Sequence, residues 1–225
     1  MNTMHRVMPL WMAMALASAT VPAVHAQDQG EPPPATEVRA LDYRVMAAQA
    51  VELLESDPVR ARQMLEEAAA AENSRAARVL GQIYLRGDGV DADPARAAEL
   101  FRIAVQDGDV ASMLNLGRLY RDGRGIERDD RRAMELFAMV AEQEDVRGLR
   151  ELGRLLVTSD HLEGETERGM ELLREAYARG DTQSALPLGL ALAQQGETEE
   201  AALLLREAYQ SGQTAAALPL ARLVD

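Results

Sequence analysis

Ala77-Arg78-Val79-Leu80-Gly81-Gln82-Ile83-Tyr84 returns further along the chain as Met113-Leu114-Asn115-Leu116-Gly117-Arg118-Leu119-Tyr120. The offset is 36 residues, and Gly81, Gly117, Gly153 and Gly189 keep it. A fixed period in this range marks stacked supersecondary units, each burying its apolar face against its neighbours, in place of a single globular core. Such arrays offer long surfaces to partners.

Within one period, Ala77, Leu80, Ile83 and Tyr84 share a helical face, which predicts a first helix (helix A) over about 74–86. Gly81 lies inside it at a cost of ~1 kcal/mol relative to alanine, so a neighbouring helix backbone is expected to approach closely there. Gly87-Asp88-Gly89-Val90 reads as a tight loop in which glycine supplies positive φ. Asp93 suits an N-cap, and Pro94 suits the first turn of a second helix (helix B), where its missing N–H would be unpaired anyway. Helix B is expected to bury Ala97, Leu100, Phe101 and Ala104 and to end at Gly108. The next period repeats the landmarks as Leu116, Gly117, Tyr120, Gly123, Gly125, Ile126, Asp129, Ala133, Leu136 and Phe137.

The pattern A-x-x-L-G-x-x-Y-x-x-G-x-G-V-x-x-D-x-x-x-A-x-x-x-F, closely matched from Ser74 to Asp145, resembles the Sel-one-like repeat (SLR), a relative of the tetratricopeptide repeat. The resemblance implies an all-α fold, a right-handed superhelical α-solenoid of about five helix-turn-helix repeats. It also implies a scaffold for protein–protein interaction. Complete units are expected at 74–109 and 110–145. Degenerate ones are expected at 38–73, where helix A (about Val38 to Glu55) lacks the glycine and tyrosine, and at 146–181, where the loop Val157 to Glu165 lacks the paired glycines. A shortened, tetratricopeptide-like unit is expected at 182–213, because Leu172-Leu173-Arg174-Glu175-Ala176-Tyr177 recurs only 32 residues later at Leu204. Residues 214–225 read as a capping helix whose apolar outer face either seats a partner or packs on Leu204 and Leu205.

Composition agrees with small-residue helix packing: 47% of residues are hydrophobic but only 4% aromatic. All 24 basic residues are arginine, and cysteine is absent. The N-terminus has the form of a secretory signal peptide: His5 and Arg6, an apolar stretch from about Val7 to Ala19, then Val24-His25-Ala26 before Gln27. Cleavage after Ala26 is expected, giving a periplasmic or secreted protein. A membrane anchor would need ~20 apolar residues, so no stable membrane insertion is expected after cleavage. The mature chain would carry a net charge of −14, from 37 acids and the 23 arginines left without Arg6. Residues 27–37, with Pro32-Pro33-Pro34, read as an extended, disordered Pro-rich leader.

The resemblance also implies that helix A residues line the concave face of the array. Two, five, nine and twelve places into the helix, these are Arg75, Arg78, Gln82 and Leu85, then Ala111, Leu114, Arg118 and Arg121, then Arg147, Arg150, Arg154 and Val157. Arg147, Arg150 and Arg154 share one helical stripe. Seven arginines on one surface of so acidic a chain need acidic neighbours or an acidic ligand. One reading is internal pairing, with candidates Glu142, Glu144, Asp145 and Glu151. The other is a groove for a protein or acidic peptide, with an anionic polysaccharide as the alternative ligand. Nucleic acid is not expected as a partner of an acidic, lysine-free, exported chain.

The inventory argues against catalysis. Signal removal leaves His161 as the only histidine, and Ser159, Asp160 and His161 are consecutive, which does not give triad geometry. Without lysine there is no Schiff base, and without cysteine and with one histidine no zinc site. Asp88, Asp91 and Asp93 lack the closing glutamate of a calcium loop. No cofactor, metal or catalytic residue is expected; a carboxylate-dependent hydrolase is the remote alternative. Tyr84 and Tyr120 read as packing residues.

Overall fold

The computed structural model describes residues 35–224 apart from Glu163. The expected signal peptide and residues 27–34 of the leader lie outside the described residues. The described residues form eleven α-helices: α1 (Ala35–Leu53), α2 (Pro58–Ala70), α3 (Ser74–Arg86), α4 (Pro94–Gln106), α5 (Val110–Asp122), α6 (Asp130–Ala141), α7 (Val146–Thr158), α8 (Thr166–Ala178), α9 (Ala185–Gln195), α10 (Thr198–Gln210) and α11 (Ala217–Val224). They stack as five A/B hairpins followed by α11, an all-α helical repeat solenoid. The first helix begins at Ala35, inside the segment read as leader.

Periodic capping sets the helix boundaries. Asp57, Asp93 and Asp129 precede α2, α4 and α6, and each side chain accepts a hydrogen bond from the backbone N–H three residues on, at 3.1, 2.9 and 3.0 Å. Asn73 and Asp109 do the same for α3 and α5, at 2.9 and 2.7 Å. Each such cap stabilises its helix by roughly 1 kcal/mol. The loops after α3 and α5 also repeat. Gly125 shows why glycine is needed there: its φ is +76°, and a Cβ would lie 2.5 Å from the backbone of Pro94 and Ala95 in the preceding unit.

The glycine inside helix A has a different cause from the one expected. A Cβ on Gly81 would meet the Phe101 ring at 2.8 Å, and one on Gly117 would meet the Phe137 ring at 2.5 Å. The close neighbour in the two complete units is a buried phenyl of helix B, not a backbone. In the degenerate unit of α7 and α8 backbone does approach, with the Gly169 carbonyl oxygen 2.8 Å from the Cβ position of Gly153, as near as Leu173 Cγ. The periodic phenylalanine is missing there, so the two helices close on each other directly.

A second column of small residues lies at the N-terminal end of every A helix from α3 on. Ala76, Ser112, Ser184 and Ala216 are each 0% exposed, and Gly148 fills the remaining place. Helix A of one unit lands here on the C-terminal end of the preceding helix B; a Cβ on Gly148 would be 2.3 Å from the Ala141 nitrogen.

The last two A helices depart from a simple helix start. Single 3₁₀ turns, Thr182–Ser184 and Thr214–Ala216, precede α9 and α11. Pro187 and Pro219 sit at the third position of these helices, where the ring clashes with the carbonyl four residues back and offers it no N–H. The turn before each proline tightens accordingly.

The core runs along the array as three overlapping clusters. The first joins α1–α4 around Leu65 and Leu80, the second joins α4–α7 around Phe101, Phe137 and Leu155, and the third joins α8–α11 around Leu173, Leu188 and Leu205. Tyr84 touches the first two. In the third, Leu220 and Leu223 of α11 pack on the cluster that holds Leu204 and Leu205, while Leu218 stays 62% exposed. Three pairs of successive A helices touch (α1 with α3, α5 with α7, α7 with α9), and no pair of successive B helices does so to the same extent. The A helices therefore form the inner side of the curve.

Candidate functional site

On that inner side α5, α7, α9 and the turn before α11 enclose an open cleft of about 820 Å³. One end is basic, with Arg118, Arg150 and Arg154 around Glu151. The other end is apolar, with Val157, Leu186, Pro187 and Leu190.

Glu151 organises the basic end. A glutamate is seldom buried unless it is paired, yet Glu151 is 4% exposed. Arg118, on the neighbouring A helix, donates from Nε and Nη2 to Oε1 at 3.0 and 2.6 Å. Arg121 donates from Nη1 to Oε2 at 2.9 Å, and Arg154, one turn along α7, from Nη2 to Oε2 at 2.8 Å. Arg150 stands 4.0 Å from Oε1 and gives its own strong contact, 2.6 Å, to Asp181. Four guanidiniums thus converge on one carboxylate, whose desolvation is offset by charge-assisted hydrogen bonds. Arg121 is further held by Asp122, at 2.7 and 3.0 Å.

The remaining arginines of the expected surface are not brought into this cluster. Arg147 folds back on Asp145, the N-cap of its own helix, with Nη2 to Oδ2 at 2.6 Å, and that guanidinium, against the opposing effect of burial, holds the Asp145 carboxyl below its ordinary value. Arg78 reaches Asp109, the N-cap of α5, at 3.2 Å. Arg75 is exposed, and Gln82 accepts a bond from Arg86 at 3.5 Å. None of Arg75, Arg78, Gln82, Arg121 or Arg147 lines the cleft. Of the acids named as internal partners, Asp145 and Glu151 pair with arginine. Glu142 and Glu144 make no side-chain ion pair among the described residues, although the Glu144 carbonyl accepts from Arg179 at 2.6 Å.

Other polar groups have structural employment. Tyr120 is in the second core cluster, and its hydroxyl faces Arg102 and Arg132 at 3.5 and 3.2 Å. Burial raises the pKa of that phenol, but the hydrogen bonds and charge of the two arginines outweigh it and hold the pKa below 10.0. Ser159 donates to the buried Asp130 carboxylate at 2.6 Å, while the His161 backbone N–H donates to Ser159 Oγ at 3.2 Å. Ser159 is thus engaged by Asp130. Among the described residues no group of three or more His, Cys, Asp or Glu is placed to hold a metal ion, and no helix is long and apolar enough to cross a membrane.

The inner-face register read from the sequence ends on α7, so of the apolar end it includes Val157 but not Leu186, Pro187 or Leu190. The signal was available: Leu186 and Leu190 lie 36 residues after Arg150 and Arg154, at the same places in helix A. The sequence also placed Glu151 only as one possible counter-ion among four, since its role depends on how α5 and α7 stack.

Residues 51–73, 74–109 and 110–145 match the family model for the Sel1 repeat. No curated protein matches the sequence significantly. Among solved structures, a Sel1 repeat protein from Oxalobacter formigenes is similar at 23% identity and a TM-score of 0.62, over 77% of this chain and 75% of that one. A protective antigen present in uropathogenic Escherichia coli strains, displaying an SLR fold, is similar at 23% identity and a TM-score of 0.70. That match covers 82% of this chain but only 42% of the antigen. At these identities the likeness shows the fold alone. Residues 51–145 of this chain are thus three consecutive Sel1 repeats, set within a longer all-α array of the SLR fold.

Proposed function

We propose that this protein is an exported, non-catalytic adaptor that docks a protein partner in the inner cleft, with acidic groups of the partner held by Arg118 and Arg154. Sel1 repeat proteins are generally protein-interaction scaffolds. The observation that carries the reading for this chain is the crowding of four guanidiniums around the single carboxylate of Glu151, at the edge of an open cleft. Arginine suits flat, bidentate recognition of carboxylate groups. Export is supported by the N-terminal signal pattern, and the adaptor would then act in the periplasm or outside the cell.

The test is crosslinking and co-purification of the protein from envelope extract, beside the variant Arg118→Glu/Arg154→Glu checked for unchanged helicity. Arg147 is left intact, because it serves its own helix cap. The expected result is a specific protein recovered by the wild type and lost by the variant. Recovery by both puts the docking surface elsewhere. Recovery of no protein, together with binding to a uronate polymer such as alginate, replaces the adaptor by a polysaccharide-binding assembly factor. N-terminal sequencing of the exported protein is expected to begin at Gln27.

A further inference from the structure

We infer that the cleft selects an extended peptide segment in which one carboxylate side chain is followed or preceded, at short distance, by one large apolar side chain. The inference rests on the adaptor reading and names what the cleft would recognise.

Charge sets the first half of the motif. The Glu151 carboxylate is saturated: two N–H groups reach Oε1 and two reach Oε2 at 3.0 Å or less. A carboxylate offers about four acceptor sites. Arg121 and Arg150 have second carboxylate partners in Asp122 and Asp181. Arg118 and Arg154 have only Glu151 among the described residues. Each guanidinium carries five N–H donors; Arg118 uses two and Arg154 one within the protein. Both side chains are 38% exposed and both line the cleft. The four arginines therefore face three carboxylates, and the surplus is one positive charge flanked by unused donors. One carboxylate balances it. A polyanion would bring more negative charge than the cluster can neutralise, and buried Glu151 would repel the excess.

The apolar half follows from the register. Leu186 and Leu190 hold, one repeat later, the places of Arg150 and Arg154 on the preceding A helix. Leu190 is 37% exposed, a large hydrophobic side chain left open on the cleft wall. Neighbouring packed helices lie about 8–10 Å apart. An extended chain advances about 3.3 Å per residue. The acid and the apolar side chain are thus about two or three positions apart. The exposed amides of Gln183 and Gln194 line the same cleft and carry both donors and acceptors for the main chain of such a segment.

The test is selection of a displayed random dodecapeptide library on the purified protein. Enriched peptides are expected to share Asp or Glu with Leu, Ile, Met or Phe about two or three positions away. Arg118→Gln and Arg154→Gln should each weaken the best of these synthetic peptides roughly tenfold, the scale of one lost charge-assisted contact. Leu190→Ser should relax the apolar preference and keep the acid. Arg168→Gln, on α8 and outside the cleft lining, should change nothing. Replacing the peptide's acid by its amide gives the same tenfold loss with the protein untouched, so the result does not depend on how the variants fold. Enriched peptides without the acid–apolar pair, or indifferent to both arginines, overturn the inference, as does a selection that enriches nothing. If crosslinking still recovers a partner in that case, the adaptor reading stands and only the motif falls. If neither yields a protein ligand, both fall.

Discussion

Gly117 lies against the ring of Phe137 so closely that a Cβ at that position would sit 2.5 Å from Cε1. Phe137 is 0% exposed. Gly117→Ala should therefore cost about 1–3 kcal/mol by overpacking, even after the ~1 kcal/mol that alanine returns in helix propensity. Gly189 offers the contrast. Its Cβ would meet Leu205 Cγ at 3.0 Å, Leu205 Cδ2 at 3.2 Å and the Ala201 carbonyl oxygen at 3.3 Å, all looser than the contact at Gly117. Gly189→Ala should stay within about 1 kcal/mol of wild type. Urea unfolding followed by far-UV circular dichroism separates the two; equal shifts would mean that the ring is not what demands glycine.

Glu151 tests the arginine cluster. Glu151→Ala removes the shared counter-charge of Arg118, Arg121, Arg150 and Arg154, and should destabilise by about 2 kcal/mol, reduced from the fully buried case because two of the arginines are partly solvated. Arg154→Ala alone should cost under about 1 kcal/mol. In the double variant the losses should fall short of their sum, since removing Arg154 relieves repulsion created by the loss of Glu151. Additive losses in this double-mutant cycle would show that the two side chains are not coupled.

Asp130 predicts a pH dependence. Hydrogen bonding from Arg128 is the largest influence on its carboxyl and, with Ser159 and against the effect of burial, holds it below the ordinary 3.8. The folded pKa is depressed, so this stabilisation is fully present above 3.8 and is lost as pH falls through the lower folded value. Arg128→Gln should lower the thermal midpoint at about pH 7, and the gap from wild type should close as pH drops toward about 2. A gap that is constant with pH would show that Arg128 acts by packing alone.

Ser112 is 0% exposed, and its Oγ has no hydrogen-bond partner among the described residues. An unpaired buried hydroxyl costs roughly 1–3 kcal/mol. Ser112→Ala should be neutral or stabilising by up to about 1 kcal/mol, because alanine already fills the equivalent place at position 76. Ser112→Val should destabilise by crowding the preceding helix B. Thermal denaturation of both variants checks the sign of each change.

What the sequence by itself determined is what depends on local order. Helix periodicity, aspartate caps, loop glycines and the 36-residue recurrence are short-range patterns, so α3 could be read as running from Ser74 to Arg86 before any coordinates. The repeat then implies the stacking, because no single hairpin can bury its own apolar face. Only the tertiary structure decided what each inner-face residue meets. Arg147 and Arg154 are seven residues apart on one helical stripe, yet the first turns back to Asp145 and the second to Glu151. The neighbour of Gly81 is the Phe101 ring, not a backbone, a distinction that rests on how far one side chain reaches. The meeting of Arg118 with Glu151 spans 33 residues and depends on the offset between two stacked helices. Periodicity carries the spacing of positions along a chain; which charges and rings touch depends on ångström-scale geometry between helices, and that is set by packing.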